Sequence, residues 1–136
     1  EVRQALRLVE GDFERAQIDG QVYWFSRAAS QAAAPERSAW LLPAYDELTV
    51  AYADRRAMLD PAFPDDAFTI LGPVIVVDGR LVGSWKRTLA KDAVTLSMTL
   101  YAPLDGERRA AIAEAAERYG RFLGLPVKVE TRSARD

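Results

Sequence analysis

Apolar and polar positions divide the first half of the chain into short elements. Val2, Leu6 and Val9 recur at helical spacing and stop at Gly11, which predicts a short helix capped by that glycine. Phe13 to Ile18 and Gln21 to Phe25 flank Asp19-Gly20, a dipeptide suited to a type I′ turn because both of its central residues need positive φ, so a β-hairpin follows the helix. Residues 27–38 are small and polar with no large apolar anchor. They predict a mobile connector, with a short Ala-rich helix ended by Pro35 as the alternative. Trp40-Leu41-Leu42-Pro43 reads as a brief strand that leaves its sheet at the proline. Leu48, Tyr52, Arg55 and Leu59 form a helical stripe stopped at Asp60-Pro61, which predicts a helix or turn there.

The second half is strand-rich. Val74 to Val77 is continuously apolar and predicts a central strand; it joins Arg80 to Trp85 through Asp78-Gly79, a second hairpin of the same kind. Val94, Leu96, Met98 and Leu100 alternate with Thr95, Ser97 and Thr99, the pattern of a strand with one wet face that pairs with the strand before it. Asp105 can cap a helix running through Gly120 or beyond, with Ile112, Ala116, Tyr119 and Leu123 as its apolar stripe and Gly124 near its end. Val127 to Thr131 then reads as a closing strand. The fold class is α+β. A helix followed by a hairpin is how a winged helix ends, so residues 1–26 are expected to be the tail of a winged helix with its wing and 27–38 the connector. Residues 39–136 are expected to form a small β-rich, partly barrel-like module with one C-terminal helix.

Composition narrows the chemistry. The 136 residues are 49% apolar and 28% charged, enough for one domain with a real core, and no apolar run approaches the ~18 residues that a membrane-spanning helix needs. No membrane partner is expected. The chain has no cysteine and no histidine, which removes disulfides, thiolate zinc sites, Cys-His and Ser-His-Asp nucleophiles, and nearly every zinc, copper or haem site. Carboxylate, hydroxyl and amine chemistry is left, so no catalytic residue, cofactor or metal is expected, and the missing cysteines are compatible with the cytoplasm. The first residue is Glu1 and helical spacing begins at once, as in a fragment of a longer protein.

A net charge of −2 offers no global attraction for nucleic acid, but the charges are unevenly placed. From Pro43 to Asp66 six acids face Arg55 and Arg56, whereas from Gly79 to Lys91 there are four cations, Arg80, Lys86, Arg87 and Lys91, and no acid. Any phosphate-facing surface is expected there, with the proviso that Lys86 and Arg87 are adjacent on a strand and point to opposite sides.

Three stretches follow one another in order between Leu41 and Gly124. Leu41-Leu42-Pro43-Ala44-Tyr45-Asp46 is followed by Tyr52-Ala53-Asp54-Arg55-Arg56 and Leu59-Asp60-Pro61; the second stretch runs from Val76-Val77-Asp78-Gly79 through Val82-Gly83-Ser84-Trp85-Lys86-Arg87; the third is Arg118-Tyr119-Gly120-Arg121-Phe122-Leu123-Gly124. Together they resemble a bacterial family of winged-helix DNA-binding-domain proteins that includes DNA glycosylases acting on alkylated bases and interstrand crosslinks. The resemblance implies a chain of several hundred residues with tandem winged helices followed by a C-terminal β-rich barrel domain. By that resemblance this sequence is expected to be the tail of the last winged helix plus the barrel. Glycosylase members carry a Gln-apolar-Gln or Gln-apolar-Asp signature near the start of the full protein, a region absent here.

Gln17-Ile18-Asp19 has the form of that signature, but Asp19 stands directly before Gly20 in a predicted tight turn, and a three-residue pattern matches easily by chance. Asp46, Asp54 and Arg55 either border a groove or cap a turn and tie a loop to the sheet, and Asp60, Asp65 and Asp66 lack the ligand spacing of a calcium loop. Trp24, Trp40 and Trp85 either stack on bases or pack in sheets, and the strand patterns around them favour packing. Arg108, Arg109, Arg118 and Arg121 alternate with Glu107, Glu114 and Glu117 as on a solvated helix face. The expected function is the non-catalytic C-terminal portion of a winged-helix DNA-binding protein. It contacts double-stranded DNA through Arg80, Lys86, Arg87, Lys91 and Arg55, and it packs on upstream winged-helix domains of the same chain. The alternative is a structural or protein-interaction domain that does not touch DNA.

Overall fold

The computed structural model describes residues 4–5, 8–18, 20–26, 37–52, 57–59, 72–101 and 103–134. It divides into two compact units, Glu1–Pro35 and Glu36–Asp136.

In the first unit Gln4, Ala5 and Leu8 are helical, and a single 3₁₀ turn, Glu10–Asp12, leads into the hairpin. Strand β1 (Phe13–Ile18) pairs antiparallel with β2 (Gln21–Ser26) in the register Phe13↔Ser26 to Ile18↔Gln21. Gly20 takes the positive φ, 79°, that the turn requires. Arg15 and Trp24 are cross-strand partners, with the guanidinium 6.0 Å from the ring centroid.

The second unit runs β3 (Ala39–Leu42), α1 (Glu47–Val50), β4 (Val74–Val77), β5 (Arg80–Leu89), β6 (Val94–Leu100), α2 (Gly106–Leu123) and β7 (Val127–Ser133). The five strands form one sheet in chain order, antiparallel except for β6 and β7, which are parallel and are connected by α2. Parallel neighbours need such a crossover, and it lays the helix on one face of the sheet. The sheet is open, with β3 and β7 at its edges. The α+β class expected from the sequence is what the structure shows, a mixed fold with no closed barrel among the described residues. None of the described helices is long and apolar enough to cross a membrane.

Local chemistry explains the element ends. The Asp105 carboxylate accepts the Arg108 backbone N–H at 2.8 Å and opens α2, and Gly124, at φ 67°, closes it in the left-handed conformation. Asp46 caps α1 by accepting Leu48 N–H at 3.0 Å, as a turn-capping reading requires. Among the described residues, the stripe from Leu48 to Leu59 is helical over Glu47–Val50, and Ala51 and Tyr52 lie outside that helix. Residues 53–56 and the Asp60, Asp65 and Asp66 trio lie outside the described residues, as does most of the expected connector.

The main core lies between the sheet and α2. Ile75, Val77, Val82 and the alternating Val94, Leu96, Met98 and Leu100 meet Ile112, Ala115 and Ala116, all buried. Four fully buried β6 side chains on one face are what the sequence alternation predicts. A smaller core, Met58, Val74, Val76 and Leu81 with Leu42, Leu48 and Leu59 against it, occupies the opposite face over β3, β4 and the start of β5. There Leu81 N–H donates to the Met58 carbonyl at 2.7 Å and Leu59 forms a bridge with Leu81.

Between these regions β5 carries a bulge. Ile75 pairs with Gly83 but Val76 pairs with Leu81, so Val82 is the extra residue. Before the bulge Leu81 faces the smaller core; after it Trp85 faces α2 and Ser84 and Lys86 face away.

Candidate nucleic-acid interface

The bulge sets the facing of the rest of β5, and the register of β5, β6 and β7 then builds one continuous polar surface on the side away from α2. Its rows are Ser84, Thr99 and Arg132; Lys86, Ser97 and Glu130; and Thr88, Thr95 and Lys128. All nine side chains are polar, and within them three cations stand against one acid.

Two of those rows, with Gly72, Pro73 and Tyr101, line a cavity of about 620 Å³. Arg132 Nε donates to Thr99 Oγ1 at 2.9 Å, which draws the guanidinium inward over β6. Ser97 Oγ donates to Glu130 Oε2 at 3.3 Å, and the Ser84 and Tyr101 hydroxyls are hydrogen-bonded at 2.9 Å. Among the described residues neither Lys86 nor Arg132 has an ion-pair partner. Chemically the cavity offers two cations outside any ion pair among the described residues, a set of hydroxyls that donate or accept, and one carboxylate, an arrangement able to hold an anion by charge-assisted hydrogen bonds.

The cations singled out in the sequence do not stay together. Arg80 stands at the start of β5, where its guanidinium donates to the Leu59 carbonyl at 2.8 Å. Lys91 lies beyond the other end, in the turn closed by Ala90 N–H to Ala93 O at 2.9 Å, and a strand of this length puts roughly 30 Å between the two. Arg87 points to the helix side and donates to the Tyr119 hydroxyl. Only Lys86 lines the cavity. Arg55 lies outside the described residues. Lys128, Glu130 and Arg132 were not singled out. Their alternation with Val127 and Val129 marks a strand with a polar face, but nothing local shows that this strand lies parallel beside β6.

Two other sequence features resolve differently. Gln17 is exposed on β1, paired with Val22, and Asp19 lies outside the described residues. Trp85 is buried, donates from Nε1 to the Leu42 carbonyl at 2.9 Å, and meets Tyr119 edge-on at 5.4 Å between ring centroids. Trp40, by contrast, is 53% exposed on the edge strand, with the Arg118 guanidinium 5.5 Å from its ring. Leu42, Trp85 and Tyr119 come one from each of the three stretches that carry the family resemblance, so those stretches meet around the indole.

Comparison with known proteins agrees with that resemblance. A solved structure of the Streptomyces sahachiroi DNA glycosylase AlkZ superposes with a TM-score of 0.56 at 20% identity, over 94% of this chain and 36% of that one. At that identity the likeness is one of fold, and the chain spans little more than a third of the AlkZ chain. Comparison with proteins of curated function gives no match. A family model described as "DNA glycosylase AlkZ-like" matches residues 1–122. This match covers most of the 136 residues, and the chain belongs to the AlkZ-like DNA glycosylase family.

Proposed function

We propose that this chain is the C-terminal, non-catalytic portion of an AlkZ-like DNA glycosylase of the bacterial cytoplasm, and that its sheet supplies contacts to the DNA backbone. In this reading residues 1–26 end a winged helix with the hairpin as its wing, 27–38 connect, and 39–136 form the module that packs on upstream winged helices. The observation that carries it is the open sheet face, where Lys86 and Arg132 border one hydroxyl-lined cavity without ion-pair partners among the described residues. Family membership supplies the class of ligand. Cations and hydroxyls on phosphates position a protein without reading bases, so the contribution is to affinity and orientation.

The test is duplex binding by the intact protein. Lys86→Ala should weaken binding to all sequences alike and lower the slope of log K against log salt by about 0.9, the value for one lost duplex phosphate contact. Unchanged affinity and slope would favour the alternative, a scaffold that packs against the upstream domains and leaves DNA to them. The chain on its own is expected to release no base from an alkylated duplex. Excision that disappears on Gln17→Ala would move catalysis into the hairpin.

A further inference from the structure

We infer that the open-face groove holds the sugar-phosphate backbone of a single nucleic-acid strand, clamped between Lys86 and Arg132, and that Glu130 holds its affinity down. The inference rests on the backbone-binding reading above and goes further in claiming that one strand suffices, and in assigning Arg132 and Glu130.

The geometry is that of a site for one strand. Lys86 on β5 and Arg132 on β7 are two strands apart and one row apart, about 12 Å between Cα atoms at ordinary sheet spacings, and both line the same cavity. The hydrogen bond from Arg132 Nε to Thr99 Oγ1 turns the guanidinium toward the middle of the groove and leaves its terminal nitrogens for a ligand. Two long cationic side chains reaching inward from opposite banks can meet on one phosphate above Ser97 and Thr99. A cavity of about 620 Å³ lies within the range of small-ligand pockets. A duplex, whose major groove alone is about 12 Å wide, can present only one of its strands to it.

The floor also says what is not recognised. Sheets that bind bases of single strands do so by stacking them on aromatic side chains. The nine positions of this surface hold none; Tyr101 at its end is engaged through its hydroxyl with Ser84, and Trp85, which also borders the cavity, is buried with its indole bonded to Leu42 and set against Tyr119, so neither ring is offered for stacking. The ligand is therefore the backbone, independent of sequence. Glu130 is the exception to this charge pattern: it borders the same cavity, accepts only from Ser97 among the described residues, and neutralises neither Lys86 nor Arg132. A carboxylate beside a bound phosphate raises the energy of the complex.

The experiment measures binding of the intact protein to an oligothymidylate of about ten nucleotides, within the site sizes usual for single-strand sheet binders, and to a mixed-sequence duplex. Lys86→Ala and Arg132→Ala should each weaken oligothymidylate binding by roughly three- to tenfold, the range for one net hydrogen-bonded contact at a solvated surface, and lower its salt slope by about 0.7. Arg132→Lys should restore most of the loss, and Glu130→Gln should tighten binding by about threefold, as expected for removing one like charge at several ångströms near water. Losses confined to the duplex would overturn the single-strand inference and leave the backbone reading standing. Losses with neither ligand would overturn both.

Discussion

Strand β5 carries two kinds of residue in alternation. Trp85 and Arg87 face α2, where the indole donates to Leu42 and touches Tyr119, and the guanidinium reaches the same tyrosine hydroxyl. Ser84 and Lys86, their immediate neighbours, face the open groove. The first pair joins three distant stretches of chain into one fold; the second pair leaves donors and charge exposed. Family-like sequence at this strand is therefore evidence about architecture at Trp85, and it bears on the proposed ligand only at Lys86.

The largest effect is expected at Trp85. Trp85→Ala should cost about 3–5 kcal/mol, since it empties a buried aromatic site and strands the Leu42 carbonyl; urea unfolding that shows less than about 1 kcal/mol would mean that the indole does not join the three stretches. Gly83→Ala comes next. A Cβ there would stand inside van der Waals contact of the Thr99 carbonyl oxygen and 3.2 Å from Leu100 Cδ2, so overpacking of about 1–3 kcal/mol is expected. Arg87→Ala should lower stability by about 0.5–1.5 kcal/mol through the lost bond to Tyr119 and leave the salt slope of DNA binding unchanged, whereas Lys86→Ala should stay within about 0.5 kcal/mol and lower that slope. Reversed behaviour of that pair would invert the assignment of the two faces.

The smallest effect concerns α2, which covers the inner face. The Asp105 carboxyl is held below its ordinary value of 3.8 chiefly by the Arg108 backbone N–H, with the Arg108 and Arg37 charges adding to it against a partial desolvation. A carboxyl whose pKa is depressed on folding contributes stability that is present above the unfolded value and lost as pH falls through the folded one. Asp105→Ala should thus lower Tm at neutral pH, and its deficit should narrow only below pH 3.8. A deficit that stays constant down to the acid transition would show that the carboxylate does not act as the cap.

Much of the architecture is legible because it is local. Asp78-Gly79 with positive φ at both residues, the capping Asp105, the αL Gly124 and the alternation of β6 each act within a few residues of themselves. The stripe from Leu48 to Leu59 predicts a helix or turn without distinguishing them, because the same apolar spacing is produced by Leu48 on α1 and Leu59 bridging to Leu81, two separate contacts with one core. Strand count does not reveal whether edge strands meet, and the described strands close no barrel.

Local sequence is enough for most of the elements, for the absence of thiol and imidazole chemistry, and for the rule that Lys86 and Arg87 point apart. Which of the two points to the groove was decided only in the tertiary structure. Side-chain direction has a period of two along a strand, and one extra residue reverses it; the bulge at Val82 puts Leu81 and Trp85, four residues apart, on opposite faces. That bulge arises where β5 changes from lying beside Met58 and Leu59 to lying beside β6. Likewise, the parallel placement of β7, which brings Glu130 and Arg132 to Lys86, follows from the packing of α2 across the sheet, a long-range fit that no local pattern of residues encodes.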